Sequence, residues 1–332
     1  MKTQLISIIL LSFVLFKFQL AKSADDIQVM GDWEGSFQTL NGDYGTLESQ
    51  VIAAGNGTYR AIIMINSGTQ VELTGTQTDQ TVVFAGKIDV GPEMGGLYEI
   101  KAEIVNGKFT GTFKGYENSG TLELKKIEKK SPTLGLEPPA GAIILFDGKN
   151  LKKWQKVGGG KPTWELLPSG EMEVRKSSMM TKENFGDHQL HIEFKTPFMP
   201  EARGQKRGNS GVYVAGRYEV QVLDSYGLKP ADNLCGGIYK KAVPAANACY
   251  PPLTWQTYDI TFYAPKFDAA GNKTKPAEIT VKHNGILIHD RIVLDGPTPG
   301  GVDQDETKPG GLMLQDHGNK VQFKNIWVLP IK

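Results

Sequence analysis

Glu219, Gln221 and Asp224 stand close together in the run Tyr218-Glu219-Val220-Gln221-Val222-Leu223-Asp224, a carboxylate, an amide and a second carboxylate interleaved with bulky apolar groups. Strand side chains alternate between faces, so Glu219 and Gln221 share one side and the valines take the other. An extra residue accommodated as a bulge at Val222-Leu223 would return Asp224 to the side of Glu219. Cleavage of a glycosidic bond needs a proton donor and a base on opposite sides of that bond. Two acids lifted off one sheet, with an amide between them, suit that chemistry. Glu219, Asp224 and Gln221 are the first catalytic candidates.

Other groups can join them. Arg217 has the parity of Glu219 and can stabilise a negative oxygen, although an arginine on a strand is as readily a surface ion-pair partner. His191 and Glu193 share one face of the run Leu190 to Lys195, where alternation alone also yields an exposed pair. His317 follows Gln315-Asp316 at a predicted strand end, where a loop can turn it into a groove as a further catalytic candidate. Tyr239 and Trp255 are rings that either stack on a sugar or fill a sandwich core. Asn209-Ser210-Gly211 brings backbone close to the cleft, the glycine lacking the Cβ that would block it. Arg217, Glu193, His191, Asn209, Tyr239 and Trp255 are thus candidate substrate contacts. No CxxC or HxxxH spacing and no Asp-x-Asp-x-Asp-Gly calcium loop occurs, and no metal or other cofactor is expected.

The elements that must hold these groups are strands throughout. From Gly31 to Ile127 about eight short runs are punctuated by Gly55-Asn56-Gly57 and Asn106-Gly107, as a small antiparallel barrel or sandwich requires. Tyr98, Ile100, Ala102 and Ile104 alternate there with Glu99, Lys101 and Glu103. Glu128 to Ala140, with Ser131-Pro132 and Pro138-Pro139, has no apolar period and reads as a linker. Strand signals then resume to the end, with His283-Asn284-Gly285 at an expected hairpin, and no helix-period stretch of useful length appears. The expected organisation is all-β: a signal peptide at 1–23, an accessory β-domain at 24–128, a linker at 129–140 and a two-sheet jelly roll at 141–332.

The 332 residues are enough for two cores. Lysine and arginine number 37 against 36 acids, a formal charge of +1 with no block of one sign, so a neutral partner is expected rather than nucleic acid. Lys2, the apolar run from Leu5 to Phe16 and the small residues of Ala21-Lys22-Ser23-Ala24 form a secretory signal pattern, too short to span a bilayer. A secreted or periplasmic protein with no membrane span after its removal is expected. Export favours a disulfide between Cys235 and Cys249, which would close a loop worth roughly 3 kcal/mol; two buried thiols are the alternative.

Several phrases of the second half are familiar together: Leu145-Phe146-Asp147-Gly148 with Leu151 and Trp154, Gly208-Asn209-Ser210-Gly211-Val212, and Tyr218 to Asp224. Gly237-Ile238-Tyr239, Trp255, Asn284-Gly285, Gln315-Asp316-His317-Gly318 and Phe323-Lys324-Asn325-Ile326 complete the set. Over about residues 141 to 331 the chain resembles the 3-keto-disaccharide hydrolase family. The resemblance implies a concanavalin-like jelly roll and a secreted enzyme that cleaves glycosides already oxidised at C3. A ketone at C3 acidifies the C2 proton, so a base can form an enolate that expels the C1 substituent, after which water adds. On that scheme Glu219 is the base, Asp224 the partner acid or orienter, Gln221 a positioner and Arg217 the enolate stabiliser. Laminarinase-type hydrolases of the same fold carry Glu-x-Asp-x-x-Glu where this chain has Glu219, Gln221 and Asp224, so a conventional glucanase-like mechanism is one alternative. A non-catalytic lectin-like sandwich is another.

Overall fold

A computed structural model describes residues 26, 28–65, 69–91, 96–116 and 118–332. The proposed signal segment, residues 1–23, lies outside them. The chain divides into two compact units, 1–129 and 130–332.

The first unit is a closed eight-stranded barrel of β1 (Gly31–Thr39), β2 (Tyr44–Gly55), β3 (Thr58–Ile65), β4 (Thr69–Thr78), β5 (Thr81–Asp89), β6 (Leu97–Val105), β7 (Lys108–Lys114) and β8 (Ser119–Ile127). Each strand pairs antiparallel with the next, and β1 pairs with β8, so the barrel has no free edge. Of the two architectures the sequence allows, the barrel is the one formed. Inward positions such as Val71, Leu73, Ile100, Ala102 and Ile104 are buried while their neighbours are exposed. Asn56-Gly57 and Asn106-Gly107 have positive φ at both residues, the tight turn whose twist matches that of paired strands.

The second unit contains β9 (Ile143–Phe146), β10 (Trp154–Lys156), β11 (Glu165–Leu166), β12 (Met172–Glu173), β13 (Met179–Thr181), β14 (His188–Lys195), β15 (Ser210–Val214) and β16 (Tyr218–Val222). It continues with β17 (Gln256–Tyr263), β18 (Lys266–Phe267), β19 (Lys273–Lys275), β20 (Ala277–His283), β21 (Ile286–Leu294), β22 (Met313–Leu314) and β23 (Gln322–Pro330). One sheet runs β10-β13-β22-β15-β16; the larger runs β11-β12-β23-β14-β17-β20-β21, with β9 added beside β23. Val212, Val214, Tyr218, Val220 and Val222 of the smaller sheet share one apolar core with Leu190, Ile192, Phe194, Tyr258 and Phe262 of the larger. Tyr218 and Phe262 meet across it at 5.3 Å between ring centres. This is a jelly-roll-like sandwich.

Two expectations change. Cys235 and Cys249 approach to 4.1 Å and are not bonded. The gap is about twice a disulfide's S–S length of roughly 2.05 Å, and Cys235 Sγ lies instead 3.2 Å from the Tyr258 hydroxyl. The disulfide is therefore corrected to two buried thiols. The stretch read as a linker is bonded into the second unit from Ser131 to Leu136: Thr133 Oγ1 donates to Asp259 (2.7 Å), Gly135 N to Glu193 (2.6 Å), and Asn325 Nδ2 to Leu136 O (3.1 Å). Its backbone follows a row of polar groups on the larger sheet's outer face, so it needs no apolar period of its own.

Candidate active site

β15 and β16 form a hairpin through Ala215 and Gly216, both with positive φ. Its register sets Tyr213 opposite Glu219 and Gly211 opposite Gln221. With the valines and Tyr218 committed to the core, these four residues occupy the sheet's other face. A Cβ at position 211 would fall 2.2 Å from Glu219 Oε1, so the carboxylate lies in the space that glycine leaves. The Tyr213 hydroxyl donates to Glu219 Oε2 at 2.7 Å and accepts from Gln315 Nε2 at 3.1 Å. With its amide turned to satisfy both neighbours, Gln221 donates to Glu219 Oε1 (3.1 Å) and Ser210 O (2.8 Å). The Glu219 backbone is pinned as well: its N–H donates to Thr298 Oγ1 at 2.9 Å, and its carbonyl accepts from Tyr239 N at 3.1 Å.

Burial dominates the electrostatics. It pushes the Glu219 carboxyl up to about 7, with the Tyr213 hydrogen bond opposing it. Burial and the neighbouring Glu219 charge raise the Tyr213 phenol, which stays protonated as a donor. Glu219, Gln221 and Asp224 are 2, 1 and 3 % exposed, so the polar row is sunk beneath the surface rather than standing in an open trough.

Asp224 follows the end of β16. Val222 and Leu223 both enter the core, which breaks alternation at the predicted place. Its carboxylate accepts from Arg207 Nε at 2.6 Å and from Tyr226 N at 3.3 Å. Burial raises this carboxyl and the Arg207 guanidinium opposes the rise. Arg207 was not singled out by the sequence, nor were Tyr213, Gln315 and Gln205, whose side-chain amide lies 2.9 Å from that of Gln221. Equal distance from Gly216, three residues on either side of it, was the available signal for Tyr213. Gln315 arrives from just beyond β22, distant in sequence, and has no local signal.

The remaining candidates divide. Asn209 is in the cluster, donating to Gln205 O at 2.8 Å with its own Oδ1 buried and unpaired. Tyr239 is half-buried beside Glu219 through the backbone bond above. Arg217 turns to the loop at 303–308, donating to Asp303 (2.7 Å) and Lys308 O (3.0 Å), and so braces that loop instead of facing Glu219. His317 is exposed on the turn beyond Gln315. His191 and Glu193 lie on the other sheet. His191 Nδ1 is 2.6 Å from Asp259 and its ring stacks on Trp327, while Glu193 accepts from Gly135 and Asn325. Trp255 lies beneath the ammonium groups of Lys195 and Lys324, at 4.7 and 4.3 Å, and Lys324 reaches Glu193 at 3.5 Å. These three serve the outer face of the larger sheet. Among the described residues no three His, Cys, Asp or Glu side chains converge as metal ligands, and no helix is long and apolar enough to cross a membrane.

Comparison with known proteins agrees with this architecture. A crystal structure from Parabacteroides distasonis ATCC 8503, named as a candidate glycosyl hydrolase, is 36% identical, with a TM-score of 0.54 over 58% of this chain and 85% of its own. A second candidate glycosyl hydrolase from the same organism is 21% identical with a TM-score of 0.44, covering 58% of this chain and 95% of its own. No curated protein matches. Residues 141–329 match the family described as the 3-keto-alpha-glucoside-1,2-lyase-like domain, and the chain belongs to that family.

Proposed function

We propose that the second unit, a glycoside-hydrolase-like enzyme domain, cleaves 3-keto-glycosides by elimination at C2 followed by hydration, with Glu219 as the base. The carrying observation is a buried carboxylate held by Tyr213 and Gln221 and pushed up to about 7, close to the value that serves proton transfer at neutral pH. The family's description, a 1,2-lyase acting on a 3-keto-α-glucoside, names the same pair of carbons.

The steps balance as follows. The carboxylate takes the C2 proton, and the electron pair passes into the enolate of the C3 ketone. The enolate re-forms the ketone as C1=C2 develops and the C1–O bond breaks; the departing alkoxide takes the proton that Glu219 has gained and leaves as the alcohol, which restores the carboxylate. Water then adds, hydroxyl to C1 and proton to C2, giving the free 3-keto sugar. Gln221 and Tyr213 fix the carboxylate's direction, and the unpaired Asn209 Oδ1 offers an acceptor for a sugar hydroxyl. The buried Asp224–Arg207 pair orients the end of the strand. On the strength of the N-terminal sequence we place this activity outside the cytoplasm, in a secreted or periplasmic protein.

Turnover of a 3-keto-glucoside in D2O tests the scheme. Elimination and hydration insert deuterium at C2 of the released sugar, and Glu219→Gln lowers kcat by about 100-fold or more. Release of sugar with protium retained at C2 would indicate displacement at C1. Tight binding without release would favour the lectin-like reading.

A further inference from the structure

The barrel of the first unit is filled at one end only. Trp33, Tyr59, Phe84 and Phe109 pack its lower half, with Trp33 edge-on to Phe109 at 5.6 Å. Trp33 Nε1 donates to Val29 O, and the Tyr59 hydroxyl pairs with Asp26, closing that end. The other half holds a cavity of about 250 Å³. Native interiors rarely leave so large a void unfilled, and an eight-stranded barrel has room for one small ligand.

The lining gives the ligand's character. Among the described residues each strand contributes at most two positions to the lining, such as Ile63 and Ile65 or Ile100 and Tyr98, and no lining side chain is charged. Two such positions are about 7 Å apart along a strand. The cup is therefore about one ring system deep, too shallow for a long alkyl chain. Thr39, Thr69 and Asn118 bring polar side chains to its open end. Leu40, Tyr44 and Tyr116, which are 80, 84 and 96 % exposed, sit on the turns or strand starts of that same end. An apolar rim around an apolar cup exceeds the scattered exposure usual on a protein surface.

We propose that the N-terminal barrel is a binding site for a compact apolar ring group, aromatic or alicyclic, carried by an uncharged small molecule. The ring enters past Tyr44 and Tyr116 and packs on Ile63, Val71 and Ile100; the molecule's polar end stays among the hydroxyls and amide at the mouth. This function is separate from the chemistry at Glu219.

N-phenyl-1-naphthylamine, a neutral ring probe, tests it on the whole chain. The expected result is saturable fluorescence enhancement at one site, displaced by 1-naphthol. Ile65→Trp or Val90→Trp, filling the cup from different strands, should weaken binding at least tenfold, while Val83→Thr on the outer wall leaves it unchanged. Should both filling variants fail to fold, methyl NMR of the unaltered protein reads the site directly, with probe-induced shifts at Ile63 and Ile100. The proposal is overturned by absence of saturable binding, by unchanged affinity in a folded filling variant, by unshifted Ile63 and Ile100 methyls, or by 1-dodecanol competing as well as 1-naphthol.

Discussion

Glu219 has one place to lie. Gly211 opens the space, Tyr213 and Gln221 donate to its two oxygens, and Thr298 holds its backbone. Gly211→Ala, with its Cβ 2.2 Å from Oε1, should displace the carboxylate and reduce kcat/KM by about 100-fold while the Tm moves little, as turnover and thermal melts would show. Tyr213→Phe removes the bond that lowers the Glu219 pKa. The acid limb of the pH–kcat/KM profile should then move to higher pH, with a loss of roughly tenfold to 100-fold at pH 7. The same burial affects stability. A carboxyl raised from 4.5 to about 7 on folding binds its proton more tightly in the native state, so stability falls as pH rises through that window. Glu219→Gln removes the dependence, and urea melts at pH 4.5 and 8 should show the variant gaining on the parent at pH 8 by up to about 3 kcal/mol. Parity alone placed Glu219 and Gln221 together. Arg207 stands beside Asp224 only because Asp224 N bonds to Arg207 O beyond the regular ladder, a detail no local pattern contains.

Strand β16 is enclosed on every side. Tyr218, Val220 and Val222 enter the core, β15 flanks one edge, and Gly237 and Tyr239 bond along the other. A strand buried on both faces loses the wet–dry alternation that the sequence shows so plainly in β4 and β6. This is why the barrel strands were readable from period and β16 chiefly from its polar residue types. On β14, alternation put His191 and Glu193 on one face, but period cannot tell which face of a sandwich is covered by another segment. Here Ser131 to Leu136 covers it, with Ser131 and Thr133 meeting Thr257 at 2.6 and 2.8 Å. Ser131→Ala with Thr133→Val should loosen that segment at about 1 kcal/mol per bond, and limited proteolysis should then cut near 128–140 where the parent resists. His191 lies between Asp259 and Glu193. Burial alone would lower its pKa, but the two carboxylates outweigh burial and raise it, so its stabilising contribution is full in acid and fades as pH rises above its unfolded value near 6.5.

Each unit has a core of its own, divided between Lys129 and Lys130. Residues 130–332 expressed alone should fold and retain turnover of the 3-keto-glucoside within about twofold, checked by circular dichroism and a rate assay. The barrel contributes something besides support. An even number of up-and-down strands brings the chain back to where it began: Asp32 at the start of β1 pairs with Ile127 at the finish of β8. Both ends of the barrel's own stretch of chain are therefore moored at the base plugged by Trp33, and the opposite end is made of hairpins alone. Chain added before β1 or after β8 enters at that base and leaves the shape of the vessel's opening the same.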